Sequence, residues 1–185
     1  MKELIIKYKS VIKFILTFLL VYTVLSFTYK LYLDNSNDSE YYPDFITHVV
    51  AKQTNTLVNV FGYESQVIKH PDEPSMKMVV RGKYLARVIE GCNALSVIIL
   101  FVSFIIAFKG GLKKTLLFIL FGTIIIYLSN IIRIALLSIG LYHYPQYTDL
   151  MHSVVFPSII YGLVFVLWML WVNRYSNTGK NNGTL

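Results

Sequence analysis

The sequence predicts an all-α transmembrane protein: a four-helix membrane bundle with a small α+β extracytoplasmic insertion between spans 1 and 2. Three observations carry that expectation. Apolar residues make up 55% of the 185-residue chain and charged residues 15%, against about 45–50% and about 25% in a soluble domain. The apolar residues fall in four long runs. The basic residues gather on alternate sides of those runs. The same composition excludes disorder, because the chain is too apolar and too aromatic. Ten Gly, five Pro and one Cys exclude collagen-like and disulfide-scaffold classes.

A span needs roughly 20 mostly apolar residues. The first run is Val11 to Leu33, the second Gly91 to Phe108, the third Thr115 to Leu141 and the fourth Ser153 to Asn173. Four such runs leave too little polar chain to cover them as buried core helices. The first follows a basic start (Lys2, Lys7, Lys9, Lys13) but is longer than a signal-peptide core and lacks a small-x-small cleavage site, so it reads as an uncleaved signal anchor. The expected organisation is therefore 1–33, basic N-terminus and first span; 34–90, the insertion; 91–173, a three-span core; and 174–185, a polar tail.

Orientation follows from lysines and arginines. With a cytoplasmic N-terminus and alternating spans, the inner segments hold nine basic residues and one acid, Glu3, whereas the outer segments hold seven basic residues and nine acids. The formal net charge of +7 is thus a topology signal. It requires no nucleic-acid partner, and no basic face with stacking aromatics argues for one. Both termini are expected in the cytoplasm of a multi-pass protein of the plasma (inner) membrane, with the lipid bilayer as first partner.

In the insertion, Asn35–Glu40 reads as a linker. Pro43 and Asp44 open a helix to about Phe61, with apolar residues near a 3.6 period. That helix suits the outer leaflet, a cover over the tops of the spans, or packing against the strands that follow. Strands are expected at Glu64–Lys69, Met76–Arg81 and Tyr84–Glu90, with a hairpin at Gly82. About 57 residues are few for an independent core, so the insertion is expected to rest on the membrane part.

Three residues carry chemistry. Cys92 is the only cysteine and falls at the outer end of the second span. A lone thiol in an oxidising compartment is either a small packing residue or a reactive group. If the span starts at Gly91, Cys92 lies in the first helical turn, where the helix dipole favours a thiolate. Arg133 interrupts the third span. A guanidinium there is costly, about 3 to over 10 kcal/mol, and faces the bundle interior or snorkels to the interface. Cys92 lies 16 residues before Phe108 and Arg133 lies 18 past Thr115, about 24 and 27 Å along antiparallel helices, so the two reach nearly the same height. Asn130, three residues before Arg133, shares its face and could hold the guanidinium or take a substrate hydrogen bond. His152 opens the fourth span, also on the outer side, and Asp149 could orient its imidazole if that stretch is helical. A lone interfacial histidine is otherwise a plain surface residue. His48, His70 and His143 show no metal-ligand spacing, HExxH is absent, and no metal or cofactor is expected. Together, a histidine beside a cysteine supplies an acid/base, and an arginine stabilises a thiolate or an oxyanion.

At these residues the chain resembles the exosortase/archaeosortase family of membrane cysteine transpeptidases. Glu90-Gly91-Cys92-Asn93-Ala94-Leu95-Ser96 resembles the family's cysteine motif, Asn130-Ile131-Ile132-Arg133-Ile134 its arginine motif, and His152 with Phe156-Pro157 and Tyr161-Gly162 its histidine segment. The chain looks most like the F type (XrtF) of Bacteroidetes, in its short length and in Tyr144-Pro145-Gln146-Tyr147 with Trp168 and Trp171. It departs from the pattern in reading Cys92-Asn93-Ala94 where many members read Cys-Ser-Gly. The resemblance implies Cys92 as nucleophile, His152 as acid/base and Arg133 as charge stabiliser, with Asn93, Asn130 and Asp149 in support. It implies, as partners, exported proteins whose C-terminal sorting signals are cut at the outer surface and passed to an acceptor. The competing expectation is a non-enzymatic membrane subunit of a secretion or export system. A thiol-redox protein would need a resolving cysteine, and a small transporter would need paired interrupted spans.

Overall fold

A computed structural model of the chain describes residues 8–36, 41–108 and 110–174. The expected polar tail, most of the linker, and Lys2, Lys7, Lys109 and Lys180 lie outside the described residues. The structure is mostly helical, with five helices and one small sheet. Helix α1 is Lys9–Asp34, α2 Phe45–Val60, α3 Leu95–Ala107, α4 Leu112–His143 and α5 Phe156–Arg174, and the strands are β1 Ser65–Lys69, β2 Met76–Val80 and β3 Lys83–Val88.

Among the described residues, three helical runs are long and apolar enough to cross a membrane: α1, α4 and Pro145–Arg174, the last including α5. The protein is a membrane protein by this measure. Their outward faces remain apolar, as with Leu20 and Phe27 on α1, Phe121 and Leu128 on α4, and Phe165 and Val166 on α5. Water would penalise such faces, whereas lipid would not.

The second expected span is shorter as a helix than the apolar run. Helix α3 has 13 residues, about 20 Å at 1.5 Å per residue, against a hydrocarbon layer of about 30 Å. The cause is local. Asn93 folds its side-chain oxygen onto the Leu95 N–H at 2.9 Å, and Ala94 takes a left-handed conformation with φ 67°. Both stop the helix from extending back to Gly91. Even so, α3 lies among the other three. Phe14 on α1 meets Phe108 at 4.5 Å between ring centroids, while at the opposite end the Asn93 amide donates to the Tyr29 hydroxyl at 2.8 Å. These contacts make α1 and α3 antiparallel neighbours. Phe104 stacks on Trp168 of α5 at 4.2 Å. The shared core holds Phe101, Ile105, Ile126, Val164, Leu167 and Trp171.

Helix α4 approaches α3 closely at Gly122, where an added Cβ would run into the fully buried Phe101 ring. Gly122→Ala is therefore expected to lower the melting temperature of the purified protein. Overpacking of this kind costs about 1–3 kcal/mol, which exceeds the roughly 1 kcal/mol that Ala gains in helix propensity. An unchanged or raised melting temperature would mean that the ring swings aside.

With 32 residues, α4 is about 48 Å long, well beyond the hydrocarbon thickness. Its last third carries the sheet and α2. Ile134 packs with Val50, Ala51, Met76 and Val88. Ala135 packs with Val58, Met78 and Val80. Of the placements expected for α2, it takes both packed ones, over the end of α4 and against the strands: Thr47, Val50, Ala51, Thr54 and Val58 are covered. Asp44 caps it, accepting from the Ile46 and Thr47 N–H groups at 3.0 Å each, which satisfies two of the orphan donors at a helix start.

The sheet is antiparallel in the order β1-β2-β3. Arg81 and Gly82 both have positive φ, 48° and 76°. That geometry is the two-residue turn whose twist matches a hairpin, and glycine adopts it without strain. Further along, Met78 pairs with Ala86 and Val79 with Tyr84, so Leu85 is an extra residue. The resulting bulge bends β3, and β3 leads directly into the cysteine segment.

Candidate active site

Three elements meet where the membrane helices join the sheet. The first is the turn after β3. Glu90–Cys92 forms a single 3-10 turn, and the Cys92 N–H donates to the Ile89 carbonyl at 2.8 Å. Cys92 therefore precedes α3 by a left-handed break and does not lie in its first turn. The helix-dipole argument for its thiolate is corrected accordingly. The thiol is free and half-buried.

The second element is α4. Asn130 is buried, and its amide donates to the Cys92 carbonyl at 2.7 Å. It thus clamps the cysteine turn and does not hold the Arg133 guanidinium, as one sequence reading had it. Arg133 is half-buried, and its Nε is buried with no hydrogen-bond partner. An orphaned guanidinium N–H is costly, so this N–H does not stabilise the fold.

The third element is the turn before α5. Residues Met151–Val155 form a π-helical turn. Pro157 explains it: without an N–H it cannot bond back to Ser153, and its ring crowds that carbonyl, so the preceding turn widens. His152 sits on this widened turn and is exposed. Asp149, also exposed, lies in the short helical segment Thr148–Leu150. No hydrogen bond joins Asp149 to His152 among the described residues, because the wider turn alters the spacing that an α-helix would give the pair.

Cys92, Arg133 and His152 line one cavity of about 540 Å³. Residues Tyr84 to Arg87 and Ile89 form one wall, Ile134, Leu137 and Leu141 of α4 another, and Thr148, Phe156 and Pro157 a third. Among the described residues no carboxylate lines it, and two guanidinium groups, Arg87 and Arg133, do. A guanidinium on the wall of a partly open cavity suits the charge that develops on a carbonyl oxygen under attack. A smaller cleft of about 210 Å³ at Glu64, Gln66, Val79 and Gly82 contains neither thiol nor histidine. No group of His, Cys, Asp and Glu among the described residues could hold a metal ion.

Asn93 is buried and works as a joint: its amide reaches Tyr29 of α1 at 2.8 Å and Thr47 of α2 at 3.2 Å, while its oxygen caps α3. It supports the turn and does not line the cavity. Arg87 was not singled out in the sequence, although it stands five residues before Cys92. One nitrogen of its guanidinium donates to both carboxylate oxygens of Glu73, at 2.7 and 2.6 Å. His70 joins the same carboxylate at 3.2 Å. The other two histidines also have structural partners, His48 the Tyr42 carbonyl and His143 the Tyr63 hydroxyl.

Glu90, two residues before Cys92, has its carboxyl pushed above the usual range, first by burial and then by the Asp44 and Asp34 carboxylates. A raised carboxyl pKa makes the fold most stable when Glu90 is protonated, and that advantage is lost as pH rises through the folded-state value. Glu90→Gln is expected to raise the melting temperature at about pH 7 and to leave it unchanged at about pH 3.5. Thermal unfolding of both proteins at the two pH values checks this, and equal melting temperatures throughout would remove the electrostatic cost.

The chain matches no curated protein and no solved structure. A family model described as transmembrane exosortase (Exosortase_EpsH) matches residues 7–174. The match spans all four apolar helices and all three elements of the cavity, so the chain belongs to the transmembrane exosortase family.

Proposed function

We propose that the protein is a cysteine transpeptidase that cuts the C-terminal sorting signals of exported proteins at the outer face of the plasma membrane and passes them to an acceptor. The observation that carries this reading is the single cavity shared by Cys92, Arg133 and His152.

His152 takes the thiol proton, and the Cys92 sulfur attacks the scissile carbonyl carbon. A C–S bond forms, and the carbonyl oxygen gains a negative charge that Arg133 stabilises. The tetrahedral species collapses, the C–N bond breaks, and His152 returns its proton to the leaving amine. An acceptor amine then attacks the thioester, gives a proton to His152, and forms the new amide as the thiolate leaves. With water as acceptor the same steps amount to proteolysis. Arginine stays protonated throughout and so cannot be the base.

The remaining parts fit this scheme. Helix α3, extended by residues 91–94 and Phe108, completes a fourth span. Both termini then lie in the cytoplasm, in agreement with the lysine and arginine asymmetry. The F type of the family is the subtype proposed. The test is a membrane-impermeant thiol probe on intact cells, combined with a mass-spectrometric search for a peptide thioester on Cys92. Labelling from outside and a substrate-derived adduct are expected. Processing that continues unchanged in Cys92→Ala, Arg133→Ala and His152→Ala together would favour a non-enzymatic subunit of an export system.

A further inference from the structure

Strand β3 is the edge of the sheet. Its pairing partner lies on one side only, and no other hydrogen bond reaches the backbone of residues 83–88 among the described residues. Every second backbone unit of an edge strand therefore presents an N–H and a C=O that are unpaired. Short length, charged side chains and bulges blunt such an edge against unspecific pairing, and β3 carries Lys83, Arg87 and a bulge. Here Tyr84, Leu85, Ala86, Arg87 and Ile89 line the same cavity as Cys92. The backbone stays extended through Ile89, with φ −111° and ψ 172°, before it turns at Glu90–Cys92. An unsatisfied strand edge thus runs along an apolar-walled cavity toward the sulfur.

Resting on the catalytic reading of Cys92, we propose that the acyl half of the substrate binds as an extended strand on the free edge of β3. That half is the one that must stay. The leaving half departs after the first step, whereas the acyl half remains tethered to the sulfur until the acceptor arrives. Main-chain pairing holds an extended segment whatever its side chains, and alternate side chains then face the cavity wall or solvent. The bulge at Leu85 interrupts the regular β2–β3 pairing and bends β3 ahead of the cysteine turn. An extended peptide is the one occupant whose donors and acceptors match this edge at the strand repeat.

The experiment uses the full-length protein in detergent or lipid nanodiscs and two reagents with the same warhead. One is acetyl-tetraalanyl chloromethyl ketone and the other acetyl-alanyl chloromethyl ketone. In both, the Cys92 sulfur forms a thioether and chloride leaves. Alanine side chains leave the backbone as the chief source of any difference. The rate of Cys92 alkylation, read by intact-protein mass spectrometry, is expected to be about tenfold higher for the longer reagent. N-methylation of the tetrapeptide amides, one at a time, is expected to remove that gain at alternate positions and spare it at the others. Alkylation by both reagents at equal rates, or a gain insensitive to N-methyl position, would overturn strand pairing and leave the nucleophile in place. A Cys92 inert to both reagents and to iodoacetamide would overturn the catalytic reading and this proposal with it.

Discussion

Cys92→Ala is expected to reduce substrate processing by at least about 10⁴-fold, to below detection, with membrane insertion and melting temperature unchanged. The magnitude follows from the step that is lost. Without sulfur there is no covalent intermediate, and the remaining charge stabilisation and binding act on a reaction for which no acyl group is stored. Removing the nucleophile from a comparable acyl-transfer site costs on the order of 10⁶ in kcat, and a 10⁴-fold loss already amounts to about 5.5 kcal/mol of activation free energy. The structural cost is small by comparison. The thiol is half-buried at the rim of a cluster centred on Val50, Met76 and Ile134. The turn is held by backbone contacts, the Asn130 amide on the Cys92 carbonyl and the Cys92 N–H on Ile89, and those survive truncation of the side chain. His152→Ala should follow the same pattern with a smaller loss, about 10²–10⁴-fold, because solvent can replace a proton carrier. The measurement is the ratio of processed to unprocessed substrate in membranes with matched protein levels. Full processing by Cys92→Ala would exclude the thiol from the reaction.

Much of the molecule could be read from the chain because its signals are local and repeated. The three longest apolar helices, the helix opened at Asp44, the Gly82 turn and the three short strands each state a backbone preference within a few residues, and the structure keeps them. The exosortase family membership was legible through the three short segments around Cys92, Arg133 and His152. What failed to show were breaks in helices. The apolar run from Gly91 looked continuous because hydropathy does not register an Asn side chain bonding two residues ahead or a left-handed alanine. The Asp149–His152 pairing presumed α-helical spacing, and Pro157, lying five residues beyond His152, widened the turn instead. Asn130 shares a helix face with Arg133, yet its partner came from a different element 38 positions away in sequence. Arg87 passed as one of many outer charges, because only the path of β3 brings it to the cavity.

Arg133→Met is expected to lower activity by about 10²–10³-fold, or about 2.7–4 kcal/mol, while the melting temperature stays level or rises. The two halves of this expectation pull in opposite directions by design. The Arg133 Nε is buried without a partner, and a guanidinium carried on a span is costly to the folded protein. Replacing a poorly satisfied buried charge by an apolar side chain of similar length is commonly neutral or stabilising, and the long stem of methionine keeps most of the packing against α4's neighbours. If the side chain served the fold, the same change would lower the melting temperature, and activity would fall with it. Arg133→Lys separates charge from shape. It keeps a positive group on a flexible stem but loses the planar fork that can hold an oxyanion with two donors, so it should recover only part of the lost rate. Equal activity in Lys and Met variants would mean that charge contributes nothing. Wild-type activity in either variant would remove Arg133 from the charge-stabilising role, with Arg87 the one other guanidinium on the cavity wall.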